Sequence, residues 1–159
     1  MNINIDFSRN LIKGRIAETI FEEMFKVEEK FTILQLGYEH TIPELAQYQH
    51  HVHVQKVLEN IRNTPDFALI SQDKSKVYLV EVKYRKHIDN KNVLSIAQDI
   101  SERWEICNLF IVTENHFYYD TCENIIRNNG TANYLSNEII GSEIQRQFLN
   151  ISNEFIRQS

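Results

Sequence analysis

Apolar residues return every third or fourth position between Ser8 and Val27. Ile16, Ile20 and Met24 join Ala17, Phe21 and Phe25 on one wide face, and Ser8 stands where an N-cap belongs. That period predicts a helix over 8–27. Phe31–Leu36 reads as a strand ended by Gly37. From Pro43 to about Arg62 the pattern is a looser helix, with Val54, Val57, Leu58 and Ile61 as its stripe. Asp66–Ser71 and Val77–Tyr84 are two strand-like runs separated by the polar residues 72–76, so they predict a hairpin. Val93, Ile96, Ala97, Ile100 and Trp104 give the next helix one apolar face. Cys107–Thr113 has the length and continuity of a buried strand, and Phe117–Tyr119 adds a short one. Beyond it the chain reads as helical, with Ile144, Phe148, Ile151 and Phe155 on one stripe. This order predicts an α/β fold, a mixed central sheet flanked by helices.

At 159 residues the chain has the size of a single domain, 1–159. Its core is expected over about 8–120, with a helical C-terminal extension over about 121–159. A composition of 42% hydrophobic and 25% charged residues is that of a soluble globular protein. No apolar run approaches the roughly 20 residues that span a bilayer, and MNINIDFSRN lacks the cationic start and apolar block of a secretory signal. Two cysteines, Cys107 and Cys122, are too few for a disulfide framework. A reducing cytoplasm is the expected compartment. The net charge of −5 argues against a broad basic surface for coating nucleic acid, but not against local contact.

One feature breaks the apolar pattern. Glu81 and Lys83 sit among Val77, Tyr78, Leu79, Val80, Val82 and Tyr84. Side chains alternate along a strand, so both point to one face. Buried charges persist where they pair, hold a metal or do chemistry. Asp66 opens the partner strand, after Pro65, which belongs at a strand start or edge. Two carboxylates from neighbouring strands, with a main-chain carbonyl, suit a hard cation such as Mg²⁺, with Mn²⁺ an expected substitute. Lys83 beside them can orient a water or stabilise charge developing on a phosphate. The bland alternative is a hairpin with a Glu81–Lys83 salt bridge.

At these residues the chain resembles the PD-(D/E)xK nuclease superfamily. The motif is Pro65-Asp66, fourteen residues, then Glu81-Val82-Lys83. Upstream, Gly14-Arg15-Ile16-Ala17-Glu18 looks like the glycine-to-glutamate pattern of that superfamily's first core helix. The resemblance covers about three quarters of the chain, leaving the C-terminal helices outside it. It implies a restriction-endonuclease-like αβββαβ core, closest in kind to resolvase-type and restriction-type members. It further implies Asp66 and Glu81 as metal ligands, Lys83 as the catalytic lysine and Glu18 as an assisting acid. Some members carry a glutamine on the helix after the motif, which makes Gln98 an accessory candidate.

Other residues are weighed beside these. On a helical wheel Glu18 borders the apolar face, whereas Glu22 reads as a surface charge. His50, His51 and His53 lack a fourth zinc ligand at motif spacing and read as a solvated or substrate-facing loop. Within Lys83–His87, Arg85 and Lys86 are candidate DNA contacts at the mouth of the site. The stripe Ile144, Phe148, Ile151, Phe155 is expected to pack on the core, with a homodimer seam as the alternative. The reading is therefore a Mg²⁺-dependent deoxyribonuclease, an endonuclease acting on duplex or branched DNA. A catalytically silent module that binds DNA or a protein partner, and an RNA-directed nuclease, are the alternatives.

Overall fold

The computed structural model of this chain describes residues 5–36 and 64–158. Gly37, the expected helix over 43–62 and the His50/His51/His53 cluster lie outside the described residues. The elements are α1 (Ile5–Glu28), β1 (Phe31–Gln35), β2 (Phe67–Ser71), β3 (Val77–Tyr84), α2 (Asn90–Arg103), β4 (Asn108–Val112), β5 (Phe117–Thr121), α3 (Cys122–Arg127) and α4 (Ser142–Gln158). The fold is α/β. The strands form one mixed sheet in the order β1-β2-β3-β4-β5, antiparallel except for the β3–β4 pair. That parallel pair is bridged by α2, as a crossover requires.

Alternation along the strands sorts the core into two layers. Val80 and Val82 of β3, with Phe110 and Val112 of β4, pack against Phe21, Met24 and Phe25 of α1. Leu109 and Ile111 of β4 face the other way, onto Val93 and Ala97 of α2 and Ile125 of α3. Phe21 is the hub of the first layer: its ring lies 4.5 Å from Phe25, 4.9 Å from Phe67 and 5.0 Å from Phe110. Cys107 and Cys122 are free and buried, so they act as small apolar residues.

Three expectations change. α1 starts at Ile5, so Ser8 is inside the helix and is not its cap. The stripe on α4 is only half covered: Ile144 and Phe148 pack on the core, while Ile151 and Phe155 are exposed. Ser152 and Ile156 take the buried positions instead. Glu22 is largely covered, accepting from Lys26 Nζ at 2.7 Å and from Gln35 Nε2, and is no free surface charge. Asp89 caps α2, its carboxylate accepting from the Lys91 N–H at 3.0 Å. Gly130 ends the turn after α3 at φ +95°, where an added Cβ would lie 2.0 Å from the Asn90 carbonyl oxygen. The backbone at 130 therefore rests against the first residue of α2.

Candidate active site

The site arises where the sheet splits. β2 pairs with β3 from Ile70↔Val77 to Phe67↔Val80 and then leaves, while β3 continues beside β4 as far as Tyr84↔Val112. The Val82 N–H on the vacated side is taken by Asp66, whose Oδ2 accepts it at 2.8 Å. The Asp66 carbonyl meanwhile accepts from the Leu36 N–H at 2.9 Å, holding this residue to β1. In an extended strand the N–H and C=O of one residue point to the same side. The Val82 carbonyl therefore faces the same opening as the Asp66 carboxylate.

Glu81 and Lys83 share a face, as the period-two pattern predicts, and their charges pair at 3.2 Å. Glu81 is 20% exposed and Lys83 36% exposed, so both reach solvent from a sheltered position. They stand between two clefts. One, of about 660 Å³, is lined by Glu18, Asp66, Glu81, Lys83, Arg85 and Lys86, with Asn10, Lys13 and Gly14 on its α1 wall. The other, of about 220 Å³, runs beneath α2 past Asp99, Arg103 and Trp104.

Burial first, then the charge of Glu81 and the weaker one of Glu18, push the Asp66 carboxyl up to about 8, against the lowering effect of the Val82 hydrogen bond and the Lys83 charge. Burial thus weighs most on Asp66, and the two neighbouring acids add more to it than Lys83 offsets. Arg85 is half-buried and held by two bonds, donating from Nε to Asn92 Oδ1 at 2.7 Å and from a terminal nitrogen to the Tyr84 carbonyl at 2.7 Å. Its burial lowers the guanidinium from its ordinary value, yet an arginine stays charged in such a place.

Asp66, Glu81, Lys83, Glu18, Arg85 and Lys86 line one cleft. Gln98 does not join them. It is exposed on α2, and its neighbour Asp99 lines the smaller cleft. Asn10 and Lys13 were missed by sequence reasoning. The signal was present, because Asn10, Gly14 and Glu18 recur every fourth residue and so share a face of α1. Lys13 Nζ lies 5.8 Å from the centre of the Tyr84 ring, over its face.

The donor set fits a hard divalent cation by its chemistry: carboxylate oxygens on Asp66 and Glu81, and a main-chain carbonyl facing the same opening. Among the described residues no three His, Cys, Asp or Glu side chains are gathered closely enough to hold an ion by themselves. Among the described residues no helix is long and apolar enough to cross a membrane. No protein-family model matches the chain, and no curated protein matches it.

Proposed function

We propose that this protein is a metal-dependent nuclease of the PD-(D/E)xK type that hydrolyses phosphodiester bonds in DNA. The observation that carries the proposal is the crowding of Asp66 and Glu81, with Glu18 near them, beside Lys83 in one open cleft. Acids forced together against their own repulsion mark a place where positive charge is to be bound. The element order α1-β1-β2-β3-α2-β4, with Asp66 before β2 and Glu81 and Lys83 in β3, further supports a restriction-endonuclease-like core.

In this reading Asp66 and Glu81 would hold Mg²⁺, with Mn²⁺ as a substitute; a bound cation would supply charge neutralisation at the phosphate and make water easier to deprotonate. Asp66, whose carboxyl is pushed up to about 8 by burial first, would give up its proton in holding it. Lys83, 3.2 Å from Glu81, orients the attacking water and faces the negative charge that grows on the phosphate. Lys13, Arg85 and Lys86 flank these groups in the same cleft, where cations position a phosphate backbone without reading its sequence. The cleft holds four cations against three acids in a chain of net charge −5, which concentrates the attraction for a polyanion at one spot.

The test is cleavage of linear, branched and single-stranded DNA, and of RNA, with Mg²⁺ or Mn²⁺, by the wild type, Glu81→Ala and Lys83→Ala. Metal-dependent cleavage by the wild type alone supports the proposal, and equal activity in all three overturns it. A wild type that binds Mg²⁺ with proton release but cuts nothing would leave the silent binding module as the better reading. Cleavage of RNA alone would redirect the substrate class.

A further inference from the structure

Among the described residues, an apolar groove on the surface lies away from the cleft. Exposed large apolar residues gather where α1 meets α4: Ile12 at 49%, Ile151 at 38% and Phe155 at 59%. Between these helices runs a groove of about 370 Å³ lined by Ile12, Ile16, Ile20, Phe148, Ile151 and Phe155. Arg15, Thr19 and Glu23 form its rim. Contiguous apolar surface of this kind marks a place to be covered.

The rim says by what. Three residues spaced by four on the outer face of α1 read Arg15, Thr19, Glu23. All three are exposed. The series runs cation, small, anion, and is its own complement when reversed. A second α1 laid antiparallel, with Thr19 against Thr19, brings each Arg15 to the other chain's Glu23. A two-fold interface demands such a pattern, because one patch must serve both partners. Residues spaced by four form a ridge, and two such ridges interdigitate at a crossing of roughly −50°. The short Thr19 at the centre permits close approach.

We propose that two copies of this chain pair through the α1–α4 face about a two-fold axis at Thr19. Each protomer supplies a pair of packed helices, so the interface is a four-helix layer. Phe148, Ile151 and Phe155 of one α4 fill the angle opened by the crossing helices. Glu23 is already near Lys26, at 3.7 Å, an exposed contact loose enough to be shared with a partner's arginine. α1 then carries the charged cleft on one side and the dimer on the other, leaving both clefts open.

Sedimentation velocity across nanomolar to micromolar concentrations tests this with the full chain. The wild type is expected at twice the 18.9 kDa chain mass. Arg15→Glu and Glu23→Arg each place like charges opposite one another twice, so each alone is expected as a monomer that melts cooperatively. Mixed in equal amounts they restore every pair, one chain carrying two acids and the other two cations, and the dimer returns. That return also shows that both variants are folded. A monomeric wild type, single variants that stay dimeric, or a mixture that stays monomeric would each overturn the proposal.

Discussion

The two sides of α1 are built from the same helical repeat and have opposite chemistry. On one side Asn10, Lys13, Gly14 and Glu18 wall a cleft of charged groups. On the other, Ile12, Ile16 and Ile20 wall an apolar groove. Between them the buried stripe of Ala17, Phe21, Met24 and Phe25 fixes the helix to the sheet. The cleft sets a buried carboxyl beside two further acids and four cations, which suits a charged ligand. The groove holds apolar surface exposed to water, which suits a second macromolecular face. One helix thus separates a charged cleft from an apolar groove, and substitutions on its two sides should have separable effects.

The largest separation is expected at Glu81 and Lys83. Either residue changed to alanine should lower metal-dependent cleavage by about a hundredfold or more, in line with lost electrostatic stabilisation of a transition state, while leaving the oligomeric state unchanged. Single-turnover cleavage beside sedimentation checks both halves of that statement. The buried stripe should do the reverse of separating. Phe21→Ala removes the ring that touches Phe25, Phe67 and Phe110, and is expected to destabilise by about 3–5 kcal/mol. Denaturant unfolding reads that loss, and assembly should fall with it.

Asp66→Asn distinguishes the cleft by pH. The folded protein holds the Asp66 proton up to about pH 8, whereas the ordinary value is 3.8. The folded state therefore binds more protons across that window, and stability declines as pH rises through it. The contribution is complete below 3.8 and lost above about 8. Asparagine cannot ionise and its oxygen can still accept from Val82. The variant should be more stable than the wild type by up to about 5 kcal/mol near pH 8 and lose the slope, while cleavage is abolished. Mg²⁺ should raise the melting temperature of the wild type and not of the variant. A wild-type melting temperature that is flat between pH 5 and 8, roughly the range where such linkage acts, would count against the crowded acids. Gly14→Ala is the smallest effect. A Cβ there meets nothing within 4 Å, so the helix should gain about 0.5–1 kcal/mol, measurable as a shift in denaturant midpoint.

The sheet and the acids were legible in the sequence because period-two alternation makes a misplaced charge visible. Glu81 and Lys83 interrupt an apolar strand, and the hairpin length brings Asp66 beside them. Helical periodicity was less decisive. On α4 the apolar stripe named Ile151 and Phe155 as core, but the helix is turned so that Ser152 and Ile156 go inward. A wheel ranks faces by hydrophobicity alone, and a helix with apolar residues on two faces has two solutions. Glu22 looked like a solvated charge because its partner Gln35 lies on β1, thirteen residues away. Gln98 rested on family resemblance, and nothing in its local pattern aimed it at the site. The departure of β2 from β3, which frees the Val82 N–H for Asp66, is a property of strand register and leaves no mark in composition.

Gly130 lines neither of the two clefts beside Glu81 and Lys83, yet it bears on one. Its backbone rests on Asn90, two residues before Asn92, the acceptor that holds Arg85. A methyl group at 130 would push the start of α2 away and carry Asn92 with it. Sequence drift is therefore closed at this position by space and by a backbone conformation at φ +95° that side chains disfavour. In a deep mutational scan read out by folding, with no selection for activity, position 130 should be among the least tolerant sites, whereas Asp66 should tolerate neutral replacements.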